Sequence, residues 1–189
     1  MLPKDISHTV KDCAPSISMY GILELLAGIV LAGTINKLEM IPGVFILLPG
    51  IMDMKGNISC ALGSRLASAL HLGYIKPYFH MNRDIKANIY SSLILSFIAS
   101  FLLSVFAFIL TLIIGLNVSF VALLLISLIS GIIAGVVLTF LTIFIAFLSF
   151  RRGMDPDDIT IPFVATIGDI FTIFSLIVAI GVVGWIIGI

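Results

Sequence analysis

Three features of the sequence predict an all-α, polytopic membrane protein. The 189 residues are 60% hydrophobic and 11% charged, whereas soluble domains run at about 45–50% and about 25%. Mean hydropathy is +1.26. Several apolar runs each reach the roughly 20 residues that cross a bilayer as a helix, and none alternates apolar with polar residues as a membrane β-strand would. Formal net charge is zero, so there is no basic stripe to neutralise phosphates and a nucleic-acid partner is not expected.

Five transmembrane helices are predicted. The first runs from about Ile17 to Ile35 and holds Glu24 roughly 10 Å along its length, at about 1.5 Å per residue. The polar residues 1–16 are expected to form a short cytosolic segment ahead of a single membrane domain over 17–189. No cleavable signal is expected, because the first apolar run has the length of a span. The second helix runs from about Ile41 to Leu70. Pro42-Gly43 opens it, and a second break is expected at Pro49-Gly50, where proline withholds a backbone donor. Asp53 and Asn57 follow, four residues apart and therefore on one face, and Ser64 and Ser68 extend that polar side.

The loop from His71 to Lys86 sets Tyr74, Tyr78 and Phe79 beside Lys76 and Arg83, a composition that suits the headgroup level. The third helix covers about Ala87 to Gly115. The fourth, about Val118 to Phe150, is longer than a bilayer needs, so tilt or protrusion is expected. Its Ser127, Gly131 and Gly135 recur every four residues, which lets helix backbones approach closely in lipid; plain packing accounts for them. The fifth runs from about Ile159 to Ile189, is entered through Pro162, and carries Asp169 near its middle.

Basic residues set the predicted orientation. With the N-terminus in the cytosol, Lys4, Lys11, Lys76, Arg83, Lys86, Arg151 and Arg152 lie inside and Lys37 alone outside. The expectation is a plasma-membrane protein with a cytosolic N-terminus and an extracellular C-terminus. Cys13 and Cys60 lack metal-type spacing and read as free thiols. His8, His71 and His80 form no zinc-type pair.

Asp169 is the residue with most to explain. A charge at the bilayer centre costs about 2.5–3.5 kcal/mol on insertion scales, and such groups mark ion pathways or buried pairs. Thr166, Thr172 and Ile173 share its helix face, with Ala165 beside them. A carboxylate among hydroxyls and small side chains suits a hydrated cation, and Mg²⁺ keeps several waters while taking one or two carboxylates. Carbonyls freed at a break in the second helix would add oxygen ligands, since irregular backbone at membrane depth is tolerated where it lines a cavity. Asp53 reads equally as part of a kinked helix end. The bland alternative pairs Asp169 with Arg65 or Lys55. Glu24 either lines the cytosolic side of a pathway or pairs with Arg65.

Two stretches then resemble a known family. One reads Arg151-Arg152, Asp155-Pro156, Pro162, Ala165-Thr166 and Asp169. The other reads Pro49-Gly50, Lys55-Gly56-Asn57 and Gly63-Ser64-Arg65-Leu66. Together, in this order, they resemble the MgtE family of Mg²⁺ channels and transporters, the second stretch being especially similar to its eukaryotic solute-carrier branch. The resemblance implies that two five-helix units build one pore lined by their second and fifth helices. It implies Asp169 as the main cation-site residue, with Ala165, Thr166 and Asn57 close by; the residues themselves add Asp53 as a candidate ligand and Glu24, Thr172 and Ser64 along a possible pathway. The eukaryotic relatives hold two such units in one chain and this sequence holds one. A homodimer, or a heterodimer with a related half-sized chain, is therefore expected in the lipid bilayer. The CBS domains that sense Mg²⁺ in bacterial members are not expected here, because only about 16 residues precede the first helix.

Divalent-cation transport through a dimeric pore, with Mg²⁺ as transported ion and no catalytic cofactor, is thus the leading expectation. An exchanger coupled to Na⁺ or H⁺ would use the same carboxylate. Two rivals come from other classes. A non-transporting structural subunit is one. The other is an intramembrane aspartyl hydrolase built on Asp53 and Asp169, but Met52-Asp53 and Thr166-Ile167-Gly168-Asp169 match the "YD" and "GxGD" motifs of such enzymes only in part, and no enzyme is expected.

Overall fold

The computed structural model describes residues 18, 20–39, 41, 43–78 and 81–187. The segment predicted over 1–16, with Lys4, His8, Lys11 and Cys13, lies outside the described residues, as do Pro42, Phe79 and His80. Every regular element among the described residues is helical. In chain order these are α1 (Tyr20–Ala32), α2 (Ile35–Leu38), α3 (Val44–His71), α4 (Arg83–Ile114), α5 (Phe120–Arg151) and α6 (Pro156–Ile187). Helices α3, α4, α5 and α6 are long and apolar enough to cross a bilayer, so this is an all-α, multi-pass membrane protein. The described part of α1 is shorter, about 20 Å at 1.5 Å per residue.

Local chemistry sets the helix ends. Gly43, with φ of 94°, precedes α3; this left-handed region suits glycine. The Asn82 side chain caps α4 by accepting the Ile85 N–H at 2.9 Å, and left-handed Gly115 closes that helix. Ser119 caps α5 through the Ala122 N–H. Pro156 opens α6, at the helical position where a missing N–H matters least, and the Asp155 carboxylate accepts the Asp157 N–H at 3.0 Å.

One expected irregularity is absent. The chain does not break at Pro49-Gly50: α3 continues through both residues. Pro49 sits in the second turn, so its missing N–H deprives only the Phe45 carbonyl of a partner, and packing on both sides holds the helix course. Helix α6 starts at Pro156, three residues ahead of the expected Ile159, so Pro162 falls in its second turn and not its first.

Helix α5 is the hub, packing against α3, α4 and α6, while α3 also packs on α4 and α6. The apolar core falls into two clusters. One gathers Leu47, Ile51, Leu123, Ile126, Leu176 and Ile180 near the start of α3. The other gathers Leu62, Leu66, Ile85, Ile89, Ile143 and Phe147 near its end. The stretch of α3 between them carries buried Lys55 and Ser59. Outward faces are apolar, as lipid requires: Ile94, Phe97, Phe101 and Ile113 of α4 are exposed.

The ends of the helices sort by charge. His71 Nε2 lies 3.5 Å from an Asp155 carboxylate oxygen, and the Arg151 guanidinium sits 5.9 Å from the Tyr78 ring centre. The α3–α4 loop and the α5–α6 turn therefore share one end, which gathers Lys76, Arg83, Arg151 and Arg152. At the other end Gly43 lies against Thr111, Val118 and Leu123.

Candidate functional site

A cavity of about 570 Å³ opens between α1, α3 and α6. From α1 it takes Glu24. From α3 it takes Pro49, Met52, Asp53, Gly56, Asn57 and Cys60, and from α6 Ala165 and Asp169. Helical periodicity explains the set. Positions 49, 53, 56, 57 and 60 fall on one stripe of α3, and 165 and 169 on one stripe of α6. Gly56 has open space where a side chain would begin, so the wall is lowest beside Asp53 and Asn57.

The polar groups are arranged unevenly. Asn57 Nδ2 donates to an Asp53 carboxylate oxygen at 3.0 Å, which ties one oxygen of Asp53 and turns the Asn57 amide oxygen outward as an acceptor. Glu24 and Asp53 both act electrostatically on the Asp169 carboxyl. Three acids thus converge on one cavity. Among the described residues no three His, Cys, Asp or Glu side chains close tightly enough to enclose a bare metal ion. Room is not the constraint: six waters, at about 30 Å³ each, fill roughly 180 Å³.

The sequence-predicted residues divide accordingly. Asp169, Ala165, Asn57, Asp53 and Glu24 meet at the cavity. Thr166 does not line it; this side chain is buried and its hydroxyl donates to the Pro162 carbonyl at 3.0 Å. Thr172 is also buried, its Oγ1 without a partner, and Ile173 beside it joins the interior. The hydroxyl-flanked face expected around Asp169 is therefore split. Ala165 and Asp169 turn toward the cavity, while packing against the other helices takes the threonines inward. Ser64 is half-buried and is not part of the lining.

Neither basic residue of α3 neutralises these acids. Arg65 is exposed, and among the described residues no ion pair joins it to Glu24 or Asp169. Lys55 points away and donates to the Gly131 carbonyl of α5 at 2.7 Å. The ion-pair alternative for Asp169 thus has no support in the geometry. Cys60, a free thiol, lines the cavity, a placement that spacing did not reveal. The signal was its separation from Asn57 and Gly56, three and four residues along one helix face.

A family model described as MgtE, divalent cation transporter, matches residues 48–179. The matched range begins at Leu48, just before Pro49, and ends past Asp169, so it includes every α3 and α6 residue of the cavity. No curated protein matches the chain.

Proposed function

Since the chain belongs to the MgtE family of divalent cation transporters, we propose that it carries hydrated Mg²⁺ across the membrane along the cavity, with Asp169 as the principal ligand. The observation that carries this is the convergence of Glu24, Asp53 and Asp169 on one cavity with no basic partner among the described residues. Uncompensated carboxylates in a low-dielectric site repel one another and attract a cation strongly. Mg²⁺ dehydrates reluctantly and binds through one or two carboxylates plus waters. A roomy site with carboxylates on different helices, and no enclosing cluster, matches that demand.

Pairing of two copies belongs to the same proposal. Glu24, Asp53 and Asn57 are exposed side chains at the centre of a membrane protein. Ionisable groups at that depth face a bundle interior or water rather than lipid. A second copy across the open side would supply that interior and bring another Asp169 to the pathway. Ala165 and Asn57 would shape and hydrate the site, whereas Thr166, Thr172 and Ser64 support the helices that carry it. We place the positive end, with Lys76, Arg83, Arg151 and Arg152, in the cytosol, and treat residues 17–189 as one membrane domain.

The test is Mg²⁺ uptake into proteoliposomes holding the purified chain. Asp169→Asn and Asp169→Ala are expected to lower uptake by about tenfold or more, as for loss of a ligand whose charge stabilises the passing ion. Uptake unchanged in both variants would remove Asp169 from the pathway.

A further inference from the structure

Behind the cavity, the middle of the molecule holds a lysine that the cation pathway does not use. Asp53 and Asn57 face the cavity. Lys55 lies two residues from each, and two residues turn a helix by about 200°, so its side chain leaves α3 on the opposite side. It is 1% exposed. Its ammonium donates to the Gly131 carbonyl at 2.7 Å. The same Nζ lies 3.6 Å from where a Cβ on Gly131 would sit and 3.4 Å from one on Gly135. The head group therefore lies against α5 at those two glycines, within ordinary contact distance of each.

Serine oxygens lie beside the same contact. Ser96 Oγ lies 2.9 Å from the same Gly135 position, and Ser100 Oγ abuts Gly131. Ser96 is 2% exposed and its hydroxyl finds no hydrogen-bond partner. Ser100 Oγ donates to the Ser96 carbonyl at 2.7 Å, which leaves its lone pairs free to accept. No carboxylate faces the ammonium from the packed elements: the one acid of α4 is Asp84 in its first turn, and α5 has none.

The ammonium is bonded to one neutral oxygen, the Gly131 carbonyl, with two serine hydroxyls and no carboxylate beside the same helix contact; neutral oxygens suit an alkali cation, whereas a divalent ion calls for carboxylates. We infer that the space between α3, α4 and α5 is a monovalent-cation site, made by the Gly131 carbonyl and the Ser96 and Ser100 hydroxyls, that the chain fills with its own Lys55 ammonium. The tethered head group stands where Na⁺ would otherwise bind. It closes the central layer between the two apolar clusters and fixes the rotation of α3 that turns Asp53 and Asn57 to the cavity.

The test is thermal unfolding of the purified full chain in detergent, in NaCl and in choline chloride of equal ionic strength. The wild type is expected to melt at the same temperature in both. Lys55→Ala, which opens the site, is expected to melt lower in choline and to recover by about 5 °C or more at saturating Na⁺. Lys55→Met, which fills the volume without charge, should show no such recovery, and Ser96→Ala added to Lys55→Ala should weaken the apparent Na⁺ affinity several-fold. A folded Lys55→Ala that is indifferent to Na⁺, or a recovery equal in Lys55→Met, overturns the inference. Should Lys55→Ala yield no folded protein, Lys55→Ser, which also opens the site, decides by the same comparison. Ion flux is not measured, so the outcome is independent of whether Asp169 carries Mg²⁺.

Discussion

The role proposed for Asp169 rests on what surrounds it and on what does not. Glu24 approaches it, Asp53 shares its cavity, and Lys55 turns the other way. Removing either neighbour acid should weaken cation attraction less than removing Asp169, because Asp53 already shares one oxygen with Asn57. Cys60 offers a reporter on the same wall. In a Cys13→Ser background, a charged methanethiosulfonate reagent is expected to attach at Cys60 and slow Mg²⁺ uptake by about tenfold, with Mg²⁺ protecting the thiol. Full uptake after stoichiometric labelling of Cys60 would place the pathway elsewhere. The acids themselves were legible in the sequence, because an ionisable residue in an apolar span is conspicuous. Which of them meet was not, since Glu24 and Asp169 come together only when α1 docks beside α6.

At the scale of helices, the small residues of α5 prove more demanding than packing alone. Gly131 and Gly135 admit both the Lys55 head group and the α4 serines. A methyl at Gly131 would collide with Ser100 Oγ and Cβ. Overpacking of this kind costs about 1–3 kcal/mol. Gly131→Ala is therefore expected to lower the melting temperature by several degrees, and an unchanged melting temperature would mean that α4 can withdraw freely. The four-residue spacing on α5 was visible in the sequence; the lysine that fills the space was not, because it comes from α3, 76 positions earlier. Pro49 misled in the opposite direction, whereas Pro162 was expected within its helix. Pro49 and Pro162 both lie inside continuous helices, since each removes one backbone donor while packing along the whole helix holds its course. With α3 unbroken, the carbonyl ligands expected from a broken second helix are not freed there.

For the whole molecule, the open side of the cavity is decisive. An arrangement that leaves Glu24, Asp53 and Asn57 exposed is unfavourable against lipid and favourable around shared water. Native mass spectrometry is expected to find two 20.4 kDa chains per particle. A single chain that sustains full Mg²⁺ uptake would refute the paired pathway. Five basic residues, Lys76, Arg83, Lys86, Arg151 and Arg152, gather at the end where the α3–α4 loop meets the α5–α6 turn, which gives the positive-inside expectation a structural unit to act on.

Composition and local pattern by themselves determined the class of this protein. Apolar runs too long for a soluble core require helices that satisfy their own backbone in lipid, and the acids within them signal a cation. Tertiary structure alone decided which polar groups face the cavity. Thr166, Asp169 and Thr172 are near neighbours on a helical wheel, yet packing against other helices buries both threonines and leaves the carboxylate at the cavity. It also decided that Lys55 serves the interior rather than Asp169. The physical reason is common to both: periodicity fixes which residues share a face, but only the docking of other helices determines whether that face meets protein, lipid or water.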